Sequence, residues 1–165
     1  LHHVLRYHPE CSFILTDDRM LERCYGTLQG HSHAAFIRKH GKELFDKYHR
    51  EYDFPPPKGE SIKMVEGRVK SFIKDLIAFV RRYKVNVAIS AHGNSMRPFR
   101  RYFEKASIKQ MMNWEMPYDD SFAYTVRVPD GPAPKPTNTS WRAVHLPLHV
   151  KLATDRHNTL KRFYR

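Results

Sequence analysis

The chain has 165 residues, of which 41% are hydrophobic and 13% aromatic. That is enough for one domain with its own core and too apolar for a disordered segment. Lys and Arg number 29 against 17 Asp and Glu, a formal charge of +12, which suits an anionic partner without choosing among phosphorylated metabolites, nucleic acid and acidic membrane.

No apolar run approaches the roughly 20 residues of a membrane span, and no signal peptide opens the chain. Cys11 and Cys24, without metal spacing around them, fit a reducing, cytoplasmic compartment. In chain order, Leu1, Val4 and Leu5 read as the end of a helix, broken at His8-Pro9. Residues 12–16 form a short strand closed by Asp17-Asp18. Residues 19–30 make an irregular loop that sets Glu22, Arg23 and Tyr25 between apolar neighbours. A helical pattern covers residues 32–48, with Phe36, Ile37, Leu44, Phe45 and Tyr48 on one side and Gly41 weakening its middle. His31 and His33 have no carboxylate or cysteine at ligand spacing, so no metal is expected there. Pro55-Pro56-Pro57 is a rigid, extended loop.

Ser61 is the N-cap of the clearest helix. Ile62, Val65, Val69, Phe72, Ile73, Leu76, Ile77 and Val80 form its apolar stripe, and the other face is charged through Lys63, Glu66, Arg68, Lys70, Lys74 and Asp75. The helix reads as scaffold without a catalytic role. Residues 85–91 are a short apolar, β-branched run, the pattern of a buried parallel strand. His92-Gly93-Asn94-Ser95 is then a tight turn; Asn94 or Ser95 caps the next helix, and Pro98 is tolerated in its first turn. His92 therefore sits where a strand ends and a helix begins, the edge at which α/β sheets bind ligands. Free N–H groups at the helix start, with Asn94, Ser95 and Arg97, favour an anion there. From these residues alone, His92 is either the centre of a phosphate or carboxylate site or a hydrogen-bonded histidine at a strand end. Phe99, Tyr102 and Phe103 continue the helix, and Ser107 caps a short one through Met112. Residues 121–128 alternate like a strand, residues 129–136 are a Pro-rich linker, residues 141–148 fit an edge strand because of Pro147, and residues 154–165 are a basic stretch with a short helix. The division is thus a domain over 1–128 and a linker with a basic tail over 129–165.

Two segments together resemble the histidine phosphatase superfamily, and its phosphoglycerate mutase branch most closely. Residues 21–30, Leu-Glu-Arg-Cys-Tyr-Gly-Thr-Leu-Gln-Gly, are similar to that family's Leu-Asn-Glu-Arg-x-Tyr-Gly-x-Leu-Gln-Gly segment. Residues 91–97, Ala-His-Gly-Asn-Ser-Met-Arg, are similar to its second-histidine motif. Arg50-Glu51-Tyr52-Asp53 and Gly59-Glu60-Ser61 lie between them in the family's order. The resemblance implies a three-layer α/β sandwich. It implies that His92 is the second, phosphoryl-binding histidine and Glu22 the proton donor and acceptor. Arg23, Tyr25, Arg50 and Asn94 then line the pocket for the phosphate and carboxylate of phosphoglycerate, with His33 at a further substrate-binding position. The implied phosphoryl donor is 2,3-bisphosphoglycerate, with no metal.

The departures are as specific as the matches. His33 stands where the family often has lysine, and His49-Arg50 where it has two arginines. The Arg-His-Gly nucleophile motif is missing. Lys39-His40-Gly41 lies inside a helical pattern, and Arg156-His157-Asn158 follows a polar stretch without the glycine, so neither replaces it. Leu1 then falls inside the family's second helical region, and the chain is expected to be an incomplete copy, a split protein that needs a partner, or a degenerate relative. Its sheet lacks the central strand, and strands near Phe13, Val87 and Tyr124 are expected to flank gaps rather than pair with one another. Glu22 and His92 are expected in one cleft, with Arg23 and Asn94 beside them.

The leading function is a cytoplasmic isomerase interconverting 2- and 3-phosphoglycerate in glycolysis through a phosphohistidine, with this chain supplying Glu22 and His92. The alternatives are a phosphatase of the same superfamily acting on a small phosphorylated metabolite, and a non-catalytic anion- or nucleic-acid-binding fragment. Most aromatics lie at core spacing instead of on one basic face, which ranks nucleic acid third. The expected partners are phosphoglycerate and either a missing N-terminal segment or a second copy of the chain.

Overall fold

The computed structural model describes residues 6–8, 10–11, 14–117, 119–137 and 140–141. Residues 1–5 of the expected helix end, the centre of the first strand at Ser12 and Phe13, the rest of the edge strand beyond Trp141 and the terminal helix lie outside the described residues, while Arg6 and Tyr7 are helical. Beyond them, five α-helices follow one another among the described residues: α1 (His33–His40), α2 (Lys42–Arg50), α3 (Ile62–Tyr83), α4 (Gly93–Glu104) and α5 (Ile108–Asn113). Gly41, at φ +87°, breaks the expected single helix over 32–48 into α1 and α2, since that left-handed value costs glycine nothing. Ser61 caps α3 through the Met64 N–H. Ser107 caps α5, with Gln110 returning a bond to the cap's own N–H, a reciprocal capping box. Helix α4 begins two residues before the expected cap, with His92 as N-cap. Pro98 is therefore inside the helix and not in its first turn, and leaves the Asn94 carbonyl without its helical donor.

The stripe of α3 forms the core. Val65, Val69, Phe72, Ile73 and Leu76 pack with Met20 and with Phe99 of α4, and Met96, Phe103, Tyr124 and Trp141 close around them. Burying side chains of this size contributes about 1.5–3 kcal/mol each.

The strand expectations are corrected. Among the described residues there is no β-strand: residues 85–91 and 121–128 run without regular structure. No backbone bond joins them to another described segment. Val87 is 43% exposed, so the first run is not buried either. A strand exists only through a neighbour's N–H and C=O groups, and both segments line one cleft without pairing. The α/β sandwich is therefore not formed within the described residues. Part of the charged face of α3 is covered. Glu66 is 2% exposed, and the Arg68 side chain 8%. The loop 19–24 covers one part of this face, and Tyr52 and Arg101 cover another.

That covering is built from ion pairs. Arg68 donates Nε to Glu60 Oε1 at 2.8 Å and Nη2 to Glu60 Oε2 at 3.0 Å, while Nη1 reaches the Arg19 carbonyl at 2.6 Å. Glu60 also accepts the Cys24 N–H at 3.0 Å, and its own N–H donates to the Cys24 carbonyl at 2.8 Å. Thr27 N–H to the Pro57 carbonyl, 3.0 Å, continues the seam. The approach is so close that a Cβ on Gly26 would lie 2.1 Å from the Pro57 oxygen. Further along α3, Glu66 takes bonds from Lys70, Tyr52 and Arg101. Burial alone would raise the Glu66 carboxyl, but the hydrogen bonds from Lys70 and Tyr52 and the charge of Arg101 outweigh it and hold it below its ordinary 4.5. The same carboxylate and its own burial push the Tyr52 phenol up to about 12.

Two outcomes are expected. Arg68→Met strands a buried carboxylate and should cost about 3–5 kcal/mol in urea unfolding, with the double variant Glu60→Gln, Arg68→Met losing less than the single one. Because the folded Glu66 carboxyl is depressed, its contribution is present above about 4.5 and lost as pH falls through the lower, folded value. Glu66→Gln should therefore flatten the loss of stability in that acid range, measured as the urea midpoint against pH.

Candidate active site

The loop 19–24 carries Glu22 to the start of α4. The Glu22 carboxylate accepts the Arg23 N–H at 2.9 Å and the Asn94 N–H at 3.3 Å, and the Asn94 side-chain amide donates to it as well. Asn94 N–H is one of the free donors of the first helical turn, so the carboxylate lies at the positive end of the α4 dipole. Ser95 locks the junction. It is fully buried, and its hydroxyl donates to the Met20 carbonyl at 2.8 Å, two residues before Glu22. The His92 N–H donates to the same hydroxyl at 3.3 Å. His92 is half-buried and, with Glu22, Asn94 and Arg97, lines the head of a cleft of about 1340 Å³.

Arg23 is buried to 1% exposure. Its Nη2 donates to the Tyr48 carbonyl at 2.7 Å and its guanidinium stacks over the Tyr25 ring at 4.3 Å. Nε and Nη1 of Arg23 and Nε of Arg97 are buried and have no hydrogen-bond partner among the described residues. Donors of this kind match the oxygens of a phosphate or carboxylate. His33 is exposed and stands 5.4 Å from the His49 ring, centroid to centroid. Tyr25 and His49 also line the cleft. Arg50 lies apart from the other expected residues. Its side chain is 80% exposed, on the Asp46 side of α2, and lines neither this cleft nor the smaller cavity beside it.

Away from its head, the cleft is a slot between the two extended segments, floored by Leu76, Val80, Phe99 and Phe103.

A family model described as histidine phosphatase superfamily (branch 1) matches residues 9–133. The chain belongs to the histidine phosphatase superfamily. Its curated relatives include the 2,3-bisphosphoglycerate-dependent phosphoglycerate mutase 1 of Arabidopsis thaliana, 38% identical over 58% of this chain and 28% of that protein. Others are the 2,3-bisphosphoglycerate-dependent phosphoglycerate mutases of Protochlamydia amoebophila, 34% identical over 58% of this chain and 42% of the relative, and of Chlamydia felis, 34% identical over 62% and 45%. The chain spans less than half the length of these relatives. No helix among the described residues is long and apolar enough to cross a membrane.

Arg97, expected beside the anion site, lines the cleft head. Two features of the site were outside the sequence-derived set. His49 takes a place in the cleft wall. The Glu60–Arg68 pair aims the Glu22 loop from beneath, with Arg68 Nη2 at 3.3 Å from the Glu22 carbonyl. Both depend on which side of a helix packs inward, and no local pattern settled that.

Ser95→Ala removes the donor to a buried carbonyl. It should cost about 1–3 kcal/mol in urea unfolding, and the Glu22 and Asn94 side-chain resonances should broaden or shift in NMR spectra. Unchanged spectra would mean that the hydroxyl does not set the register between the two segments.

Proposed function

We propose that this chain provides the acid/base and second-histidine half of a phosphoglycerate mutase-type isomerase that interconverts 2- and 3-phosphoglycerate through a phosphohistidine. The observation that carries the reading is the meeting of the Glu22 carboxylate with the His92–Asn94 turn at the start of α4, beside buried arginine donors without protein partners. Phosphoryl transfer needs positioning and charge stabilisation more than covalent chemistry from most of the site. In this reading His92, Arg23, Arg97 and the free N–H groups of α4 hold the phosphoryl oxygens. As the nitrogen–phosphorus bond of the phosphohistidine breaks and an oxygen–phosphorus bond forms, the proton of the attacking substrate hydroxyl passes to Glu22. In the return step Glu22 gives the proton back as the other hydroxyl loses its phosphoryl group to the histidine. Tyr25, His33 and Asn94 orient the carboxylate end of the substrate, with Arg50 reaching it only from the surface.

The phosphohistidine belongs to an Arg-His-Gly segment that these 165 residues do not contain. We infer that this segment enters the slot as the strand between residues 85–91 and 121–128, supplied by an N-terminal segment or a second chain. The buried donors of Arg23 and Arg97 fit 2,3-bisphosphoglycerate, which supplies the phosphoryl group that primes the histidine. A cytoplasmic place in glycolysis goes with this reading.

The test is a coupled mutase assay on the 165-residue chain alone and joined to an N-terminal segment with its Arg-His-Gly. Alone, the chain should bind phosphoglycerate weakly and turn over at background. The joined form should be active and should carry acid-labile phosphohistidine, and Glu22→Gln in that form should lower kcat by about a hundredfold or more. Turnover or phosphohistidine from the chain alone would assign the nucleophile to one of its eleven histidines, His92 first. Release of inorganic phosphate without isomerisation would favour the phosphatase.

A further inference from the structure

A second cavity of about 320 Å³ lies behind the cleft, and Tyr25 and His49 line both. Its walls are the imidazoles of His31, His33 and His49 and the rings of Tyr25, Phe36 and Phe45, with Gln29 and Ser32. Among the described residues, no Lys, Arg, Asp or Glu lines it. A cavity beside an anion cleft, walled by three imidazoles and without a fixed charge, has a polarity that depends on protons.

The orientation of His49 sets the sign. Its ring stacks on Phe45 at 3.9 Å, and Nδ1 lies 2.8 Å from the Phe45 carbonyl. A carbonyl only accepts, so Nδ1 carries the hydrogen. In the neutral ring Nε2 is then a lone pair, which repels an anion; in the protonated ring it becomes an N–H that donates to one. His33, its ring 5.0 Å from Phe45 and 5.4 Å from His49, adds a second imidazole on the same wall.

The surroundings keep His49 neutral near pH 7. Burial pushes it below its ordinary 6.5, Arg23 and His33 push the same way, and the Phe45 carbonyl and Asp46 oppose them only in part. The other charged groups nearby are Glu22, across Tyr25 in the main cleft, and Arg50, exposed on α2. An anion in the cavity would reverse the balance, because an opposite charge within about 4–6 Å favours the protonated ring.

We propose that this second cavity is a proton-dependent oxyanion subsite of the same active site, which holds a carboxylate or phosphate group through His33 and His49 and releases it as His49 loses its proton. It rests on reading the main cleft as a phosphoryl site, and adds that the distal end of the substrate is gripped by switchable charges.

The probe is inorganic sulfate, whose charge does not change between pH 5.5 and pH 8, titrated into the 165-residue chain with isotope-labelled histidine. Sulfate should move the ring signals of His33 and His49 and raise the titration midpoint of His49. Its affinity should fall by about tenfold or more from pH 5.5 to pH 8, the change that one unit of midpoint shift corresponds to. His49→Arg, alone or with His33→Lys, should make the affinity independent of pH. Sulfate that moves His92 but neither His33 nor His49 would overturn the subsite and leave the main-cleft reading standing. Equal affinity at both pH values, or the same pH dependence in the variants as in the parent, would also overturn it. The main-cleft reading fails separately, through an active Glu22→Gln in the joined form.

Discussion

The bidentate pair between Arg68 and Glu60 is the contact on which the site depends. One guanidinium binds a carboxylate with two N–H groups and still reaches the carbonyls of Arg19 and Glu22. The carboxylate in turn holds the Cys24 N–H. Two ends of the loop 19–24, which opens on a 3-10 turn (Asp18–Met20), are thereby tied to the start of α3. Isolated buried ion pairs add little net stability, because desolvation offsets their attraction. Here the pair sets where a catalytic-type carboxylate points, and its burial makes that position costly to change.

The same helix repeats the device along its length. Arg19, 1% exposed, pairs with Asp17 and Asp75, and Asp17 also accepts the Trp141 indole N–H at 3.1 Å. Glu66 ties Tyr52, Lys70 and Arg101 together. Helix α3 thus presents an apolar stripe to α4 and a paired, charged seam to the loops that precede it. The junction of Ser95 with Met20 then brings the loop and the start of α4 into register. Glu22 meets Asn94 across 72 residues of sequence through two rigid supports, not through any direct preference of the loop.

What is left open is equally ordered. Residues 85–91 and 121–128 run without regular structure and share no backbone hydrogen bond with another described segment. They are held by what they touch, Ile89 and Ala91 against the core on one side and Tyr124 against Phe99 and Phe103 on the other. The gap between them has apolar floor residues and unpaired backbone groups along both rims, the arrangement that accepts an added strand.

The sequence by itself determined the helices and the chemistry of the site residues. Ser61 and Ser107 mark two of their starts, and the stripe from Ile62 to Val80 names the core, because a helix closes its hydrogen bonds within four residues and shows its buried face as a local period; that Gly41 divides one helical pattern into two helices did not show. The loop with Glu22 and the turn at His92 were legible as residue types in a known order. Tertiary structure decided the rest. A strand is defined by a partner that can be anywhere in the chain or outside it, so the alternation at residues 121–128 could not say whether a ladder forms. The sequence marked the charged face of α3 but not which of its residues are buried, because buried and exposed ion pairs have the same spacing. His49 and Arg50 are neighbours on α2, about 100° apart around its axis, so only one can face the cleft. Stacking on Phe45, four residues earlier, turns His49 inward and leaves Arg50 in water.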